Sequence, residues 1–332
     1  MHTIRQYPTV IIALAALALA VAACEPLAPP ATAAVIVITP PPSRTPTATF
    51  TPPATRTPLP TATSAATATA TAPPCLAEGG TMLVFDEFRS AAAGENLRYR
   101  VYLPPCYLEA QKRFPLAILL HGQAATENQW DRLGVDEALD QGVRLGALAP
   151  MILVMPYTGF IANRDPSPPN PSYENVILEE LLPAIERDFC TIQRREYRAI
   201  AGISRGGFWA FSIGLRHPDV FGVLGGHSAV FTQGNAPPAY NPLDLALNAS
   251  FLSEANLRMY LDNAAGDPAG QGLEVFSGRL SARGIPHTYV IHPIGSHSDE
   301  YWSAHVSEYL TFYAREWPRA IADLPSCLEP SP

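Results

Sequence analysis

The stretch Gly202-Ile203-Ser204-Arg205-Gly206-Gly207 constrains this chain more than any other. It follows a strand-like run, Tyr197-Arg198-Ala199-Ile200-Ala201, and leads into an apolar run suited to a helix, Phe208 to Leu215. A G-x-S-x-G that joins a strand directly to a helix demands a very sharp turn. The serine then takes a strained backbone conformation, and only small residues fit two places before and after it. Its hydroxyl stands clear of the sheet, with the backbone N–H of Arg205 beside it. A pattern of five positions, two of them free, occurs by chance, so the remainder of the chain has to agree with it.

The alternation of the chain agrees. Pro115-Leu116-Ala117-Ile118-Leu119-Leu120 and Met151-Ile152-Leu153-Val154-Met155 are continuous apolar runs, as strands buried on both faces require. Further strands are expected at about 221–226, 257–262 and 287–292, and helices at about 128–143, 173–189, 204–216, 270–283 and 299–317. Ahead of them, strands at 80–88 and 97–103 form a hairpin turning near Ala92 to Gly94. An antiparallel start followed by repeated βα units gives an α/β fold: a mostly parallel central sheet, an N-terminal antiparallel hairpin, and helices on both faces. Sites in such sheets lie at the carboxyl ends of the strands.

The N-terminal part is of another kind. Residues 1–24 carry Arg5, an apolar run from Val10 to Val21, and the ending Val21-Ala22-Ala23-Cys24. That run is shorter than the roughly 20 residues that span a bilayer, and it reads as an export signal. Small residues before Cys24 resemble a bacterial lipobox, in which the cysteine is acylated. A signal cut near Ala23 with an incidental cysteine, or an uncleaved anchor, are the plainer readings. Residues 25–74 are almost all Pro, Thr, Ala and Ser, with Glu25, Arg44 and Arg56 the only ionisable side chains. Such a segment is expected to be a disordered, extended stalk. Residues 75–332 form the expected globular domain. The picture is an exported lipoprotein, held by its lipid on the outer side of the cytoplasmic membrane.

The net charge of −8 argues against a nucleic-acid partner. Cys75, Cys106, Cys190 and Cys327 make an even set in an exported chain, which favours disulfides over three possible pairings. The hairpin brings the start of its first strand beside the end of its second, which favours Cys75–Cys106 and leaves Cys190–Cys327. With no C-x-x-C, the cysteines do not suit zinc, and neither metal nor cofactor is expected.

A nucleophilic Ser204 needs a base and an orienting acid. The elbow resembles that of α/β-hydrolases, in which the acid and then the histidine come after the serine on later loops. Of the eight histidines, His297 alone lies in a loop after the last expected strand, in Gly295-Ser296-His297-Ser298. Surface or packing roles suit the others. After the strand Arg258-Met259-Tyr260-Leu261 the acid is Asp262 or Asp267; Asp267, on the loop beyond Gly266, is preferred. Asp299 and Glu300 adjoin His297 too closely in sequence to bond its Nδ1. The N–H groups of Arg205 and Gln123 are the expected oxyanion donors, and Gly122 lets the backbone approach a substrate. His121 and Trp130 are further pocket candidates, though His121 suits a structural role and Trp130 suits the core equally well. The loops 156–173 and 229–252 are expected to wall the pocket.

Taken in order, Val101-Tyr102-Leu103-Pro104-Pro105, Leu119-Leu120-His121-Gly122 with Trp130, Glu179-Glu180-Leu181-Leu182-Pro183, the elbow, Leu261-Asp262 with Gly266-Asp267, and Gly295-Ser296-His297 with Tyr301-Trp302 resemble the Putative esterase family of α/β-hydrolases. That family includes esterase D, feruloyl and enterochelin esterases and mycolyltransferases. The resemblance covers about residues 80–318 and implies a serine esterase acting through an acyl-enzyme, with Ser204, Asp267 and His297 as triad. It implies a small-molecule, cell-wall or plant-derived ester as substrate. An acyltransferase with the same triad, or a binding protein on a hydrolase fold, are the alternatives.

Overall fold

The structure is a computed structural model that describes residues 74–329. The signal expected at 1–24 with Cys24, and the expected stalk apart from Pro74, lie outside the described residues. Eight strands form one sheet: β1 (Thr81–Arg89), β2 (Asn96–Leu103), β3 (Leu116–Leu120), β4 (Ile152–Pro156), β5 (Arg198–Ile203), β6 (Val223–His227), β7 (Arg258–Ala264) and β8 (Thr288–His292). Their spatial order is β1-β2-β4-β3-β5-β6-β7-β8. The hairpin β1–β2 is antiparallel, β2 pairs antiparallel with β4, and every later pairing is parallel. The chain goes from β3 to β4 on one side and then returns to place β5 on the other side of β3. The crevice at such a reversal lies outside the carboxyl ends of β3 and β5, and Gly122 and Ser204 come just after those two ends.

The helices that matter here are α1 (Val135–Arg144), α2 (Leu182–Asp188), α3 (Arg205–Arg216), α4 (Pro242–Asn248), α5 (Gly270–Ala282) and α6 (Asp299–Ala314). Alternate residues of the buried strands face opposite layers, as a pleated strand requires. Leu116, Ile118 and Leu120 pack with α2, α3 and α5, whereas Ala117 and Leu119 pack with α1 and α6. The helix expected at 128–143 is broken: a turn at Gln129–Arg132 ends before Gly134, whose φ of 82° is left-handed, and α1 starts after it. The helix expected at 173–189 is wound as a π-helix over Val176–Leu181, just before Pro183. A proline deprives the regular pattern of a donor and its ring crowds the preceding turn. Helix α4 lies within the segment expected to be a loop at 229–252; Asn241 caps it by accepting from the N–H of Leu243 at 2.9 Å.

The cysteines pair as Cys75–Cys106, with Cα atoms 5.0 Å apart, and Cys190–Cys327, 5.7 Å apart. Among the described residues no helix is long and apolar enough to cross a membrane. The second bridge closes a loop of 137 residues and ties the C-terminal segment to the end of α2. Cross-links over loops of that order remove much unfolded-chain entropy. The double variant Cys190→Ala/Cys327→Ala is expected to lose about 2–5 kcal/mol in urea unfolding under non-reducing conditions; a loss well under 1 kcal/mol would show that the bridge constrains little.

Candidate active site

Ser204 joins β5 to α3 at φ 54°, ψ −117°, outside the regions that an L-residue ordinarily occupies. The neighbouring glycines show why the turn can close. A Cβ on Gly202 would lie 2.3 Å from the backbone carbon of Gly206. One on Gly206 would lie 2.5 Å from the carbonyl oxygen of Leu120, at the end of β3. Hydrogen bonds hold the serine from the other side: its N–H donates to the His227 carbonyl at 2.9 Å, and its own carbonyl accepts from Val230 N–H at 3.2 Å.

The structure brings Ser204, His297 and Asp267 together. Ser204 Oγ lies 2.9 Å from His297 Nε2, and His297 Nδ1 lies 3.0 and 3.2 Å from the two carboxylate oxygens of Asp267. A carboxylate only accepts, so Nδ1 carries the proton and Nε2 is free to accept from the serine. Asp267 has no exposed side-chain surface, whereas His297 is about one-third exposed, at 32%. Burial by itself would raise the Asp267 carboxyl. Hydrogen bonds from His297, Ser228 and the Ala269 N–H, the last at 2.8 Å, outweigh it and hold the group below the ordinary aspartate range.

Asp262 has a different place. It is fully buried, and it accepts from Tyr301 Oη at 2.5 Å and Tyr309 Oη at 2.9 Å, with His227 Nδ1 2.7 Å away. Tyr313 Oη bonds the far nitrogen of the same imidazole. This network ties β6, β7 and α6 together beneath the site and does not reach His297.

Gly122 and Gln123 line a cleft of about 420 Å³ with Ser204, His297, Arg132 and Trp302. The Gly122 N–H donates to Gln129 Oε1 at 2.8 Å. Among the described residues the Gln123 N–H has no protein acceptor. Arg205 opens α3, where an N–H has no partner within the helix. Its guanidinium turns away to bond the carbonyls of Ala162 and Arg164, so it holds the 161–165 segment. His121 is buried below the cleft: Thr158 N–H donates to its Nε2 at 3.0 Å, so Nδ1 donates to the Gly122 carbonyl at 2.7 Å. Desolvation lowers the pKa of this imidazole, in keeping with a neutral structural role. Trp130 lies in the core, its indole N–H on the Leu120 carbonyl. The loops at 156–173 and 229–252 line neighbouring hollows instead of this cleft, because α4 occupies part of the second and the Arg205 guanidinium holds the first through the Ala162 and Arg164 carbonyls.

Three residues to which the sequence assigned no role hold the site in register. Gln129 bonds Gly122 and also donates to Asp299 Oδ1 at 2.9 Å, so it couples the loop after β3 to the start of α6. Trp302 packs edge-on against His297, ring centroids 5.0 Å apart, and donates to Ser228 Oγ at 3.1 Å. Ser228, in a left-handed conformation at φ 48°, bonds Asp267. Only the nearness of Trp302 to His297 in sequence pointed to any of these.

A mostly parallel sheet of this order, with a serine elbow after β5 and an acid and a histidine after β7 and β8, defines the α/β-hydrolase fold. Comparison with known proteins places the chain more narrowly. Residues 90–313 match the family described as Putative esterase, and the chain belongs to that family. It is 32% identical over 146 residues to an endo-1,4-beta-xylanase/feruloyl esterase of Xylanibacter ruminicola, covering 42% of this chain and 20% of that one. It is 31% identical over 157 residues to an esterase of Mycobacterium tuberculosis, covering 46% and 33%. The chain therefore spans a third or less of the curated relatives' length. A ferulic acid esterase of known structure is 27% identical with a TM-score of 0.64, covering 71% of this chain and 98% of that one. The feruloyl esterase module from Clostridium thermocellum, at 18% identity and a TM-score of 0.59 over 74% and 92% of the two chains, shares the fold.

Two outcomes separate the carboxylates. Asp262→Ala strands two phenols and an imidazole in the core, at about 1–3 kcal/mol for each unsatisfied group. It is expected to unfold at much lower urea than the wild type, whereas Asp267→Asn stays within a few degrees in thermal unfolding. The depressed Asp267 also sets a pH window. Its contribution to stability is fully present above the unfolded aspartate value of about 3.9 and is lost as pH falls through the lower folded value. The stability gap between wild type and Asp267→Asn, followed by urea unfolding at a series of pH values, should close as pH falls below about 4, where the depressed carboxylate takes up its proton.

Proposed function

We propose that this chain is a serine carboxylic-ester hydrolase that works through an acyl-enzyme. The observation that carries the reading is the continuous hydrogen-bonded line from Ser204 Oγ through His297 to Asp267. Ser204 Oγ attacks the ester carbonyl while its proton passes to His297 Nε2, and the buried carboxylate of Asp267 stabilises the imidazolium. The N–H groups of Gln123 and Arg205 face the oxygen on which negative charge develops. His297 returns the proton to the departing alkoxide, and water then repeats the sequence to release the acid.

Exposure of His297 to solvent favours water over a bound alcohol as the acyl acceptor. The names of the relatives support an aryl ester of the ferulate kind as substrate. Two disulfides and the basic, apolar, small-residue start support export, with anchoring through an acylated Cys24. Mass spectrometry of the mature protein tests the anchor: an unacylated chain free in the medium would refute it.

For the chemistry, wild type and Ser204→Ala are compared in fluorophosphonate labelling and in turnover of p-nitrophenyl acetate and methyl ferulate. Ser204→Ala should lose labelling and fall by about 10⁴-fold or more, and Asp267→Asn by about 10³–10⁴-fold. Turnover that survives Ser204→Ala would sink the mechanism. Esters formed in preference to free acid when an alcohol is added would identify a transferase.

A further inference from the structure

Behind the His297 loop, three metal-binding side chains converge. His292 ends β8, and His305 and Glu308 lie one turn apart on α6. His292 Nε2 is 3.5 Å from Glu308 Oε2, and His305 Nδ1 is 3.3 Å from the same oxygen. The three ligand atoms all lie within 4.8 Å of one another. Zinc holds nitrogen and oxygen ligands at about 2.0–2.2 Å in a tetrahedron, which spaces neighbouring ligand atoms roughly 3.3–3.5 Å apart. Both measured edges match that spacing.

A second observation asks for a ligand. The His292 side chain is 8% exposed, and its Nε2 is shielded from water with no hydrogen-bond partner. Leaving such an atom unsatisfied is costly. The nearest acceptor, Glu308 Oε2, lies 3.5 Å away, beyond the length of an ordinary N–H···O hydrogen bond. A neutral imidazole is the form that binds metal. The surroundings are built for it as well. Tyr260 Oη donates to Glu308 Oε1 at 2.7 Å, which orients the carboxylate and leaves Oε2 facing the two rings. Tyr301 packs against both imidazoles and is itself pinned to Asp262. His305 and Glu308 are partly open, at 21% and 34%, so water has access as a fourth ligand.

We propose that His292 Nε2, His305 Nδ1 and Glu308 Oε2 form a binding site for a zinc-type divalent ion, separate from the cleft at Ser204. His305 binds as its Nε2–H tautomer and gives up its hydrogen bond to Glu308. The ion clasps the end of β8 to the middle of α6, which are the two sides of the loop that carries His297. Its role is to brace that loop. This inference stands whether or not the ester chemistry does, since its readout is binding and stability.

The test uses the untagged full chain, stripped with a chelator and titrated with Zn²⁺ by calorimetry and thermal unfolding. Co²⁺ absorption reports the coordination. One equivalent should bind saturably, raise the melting temperature by about 5–10 °C at a hundredfold excess over Kd, and give the intense visible bands of four-coordinate cobalt. His305→Ala and Glu308→Gln, each checked for folding by circular dichroism, should weaken binding at least about tenfold, while His297→Ala should bind as the wild type does. An absence of saturable binding, equal binding by His305→Ala and Glu308→Gln, or loss of binding in His297→Ala would overturn the proposal.

Discussion

At the elbow the ends of β3, β5 and β6 come together so closely that only glycine fits between them. Gly202 faces Gly206, Gly206 faces the carbonyl of Leu120, and a Cβ on Gly207 would lie 2.5 Å from that of Ala229. Such approaches fix the start of α3 against the ends of β3, β5 and β6 together. Ser204 inherits its position from them, because its N–H and carbonyl are both taken by the segment at the end of β6. The strain of its backbone is maintained by the surrounding contacts, as strain at a site must be. Neither the loop after β3 nor the one after β6 can move without opening a glycine contact.

From this fixed point the site is completed by the first turn of α6. Asp299, Tyr301 and Trp302 each reach a different segment: Asp299 to Gln129 and Arg132 after β3, Tyr301 to the buried Asp262 in β7, and Trp302 to Ser228 after β6. The start of α6 therefore sets the loop that holds His297. The two aspartates divide the work along the same line. Asp262 is enclosed and spends its oxygens on fold-holding donors from β6 and α6, while Asp267 keeps both oxygens within reach of His297.

Patterns of two kinds carried most of what the sequence disclosed. Continuous apolar runs marked β3 and β4 because strands buried on both faces need apolar residues at every position. The elbow, and a histidine placed after the last strand, marked the site because their spacing obeys chain order. What stayed hidden depends on three-dimensional approach. Gln129 sits on a turn set off by the left-handed Gly134, and no local pattern says that its amide will span two loops. Ser228 looks like any polar residue after a strand. Trp130, open to two readings in sequence, is placed by the core that forms around His227 and Tyr309. The long loops at 156–173 and 229–252 suggested a pocket by composition, but α4 and the Arg205 contacts commit them to packing beside the cleft.

The cleft thus owes its shape to short pieces. Gly122, Gln123, Ala124 and Ala125 form one wall, and Arg132, Asp299 and Trp302 form the other. The ion pair Arg132–Asp299 at its rim is half-exposed, at 51% and 40%, so it contributes little to stability. Its consequence is geometric, since Asp299 is also the acceptor for Gln129 and Gln129 in turn holds Gly122. A charge at the mouth is linked by two hydrogen bonds to the backbone beside Ser204. The rim residue Asp299 and the loop that carries Gln123 are therefore held together through Gln129.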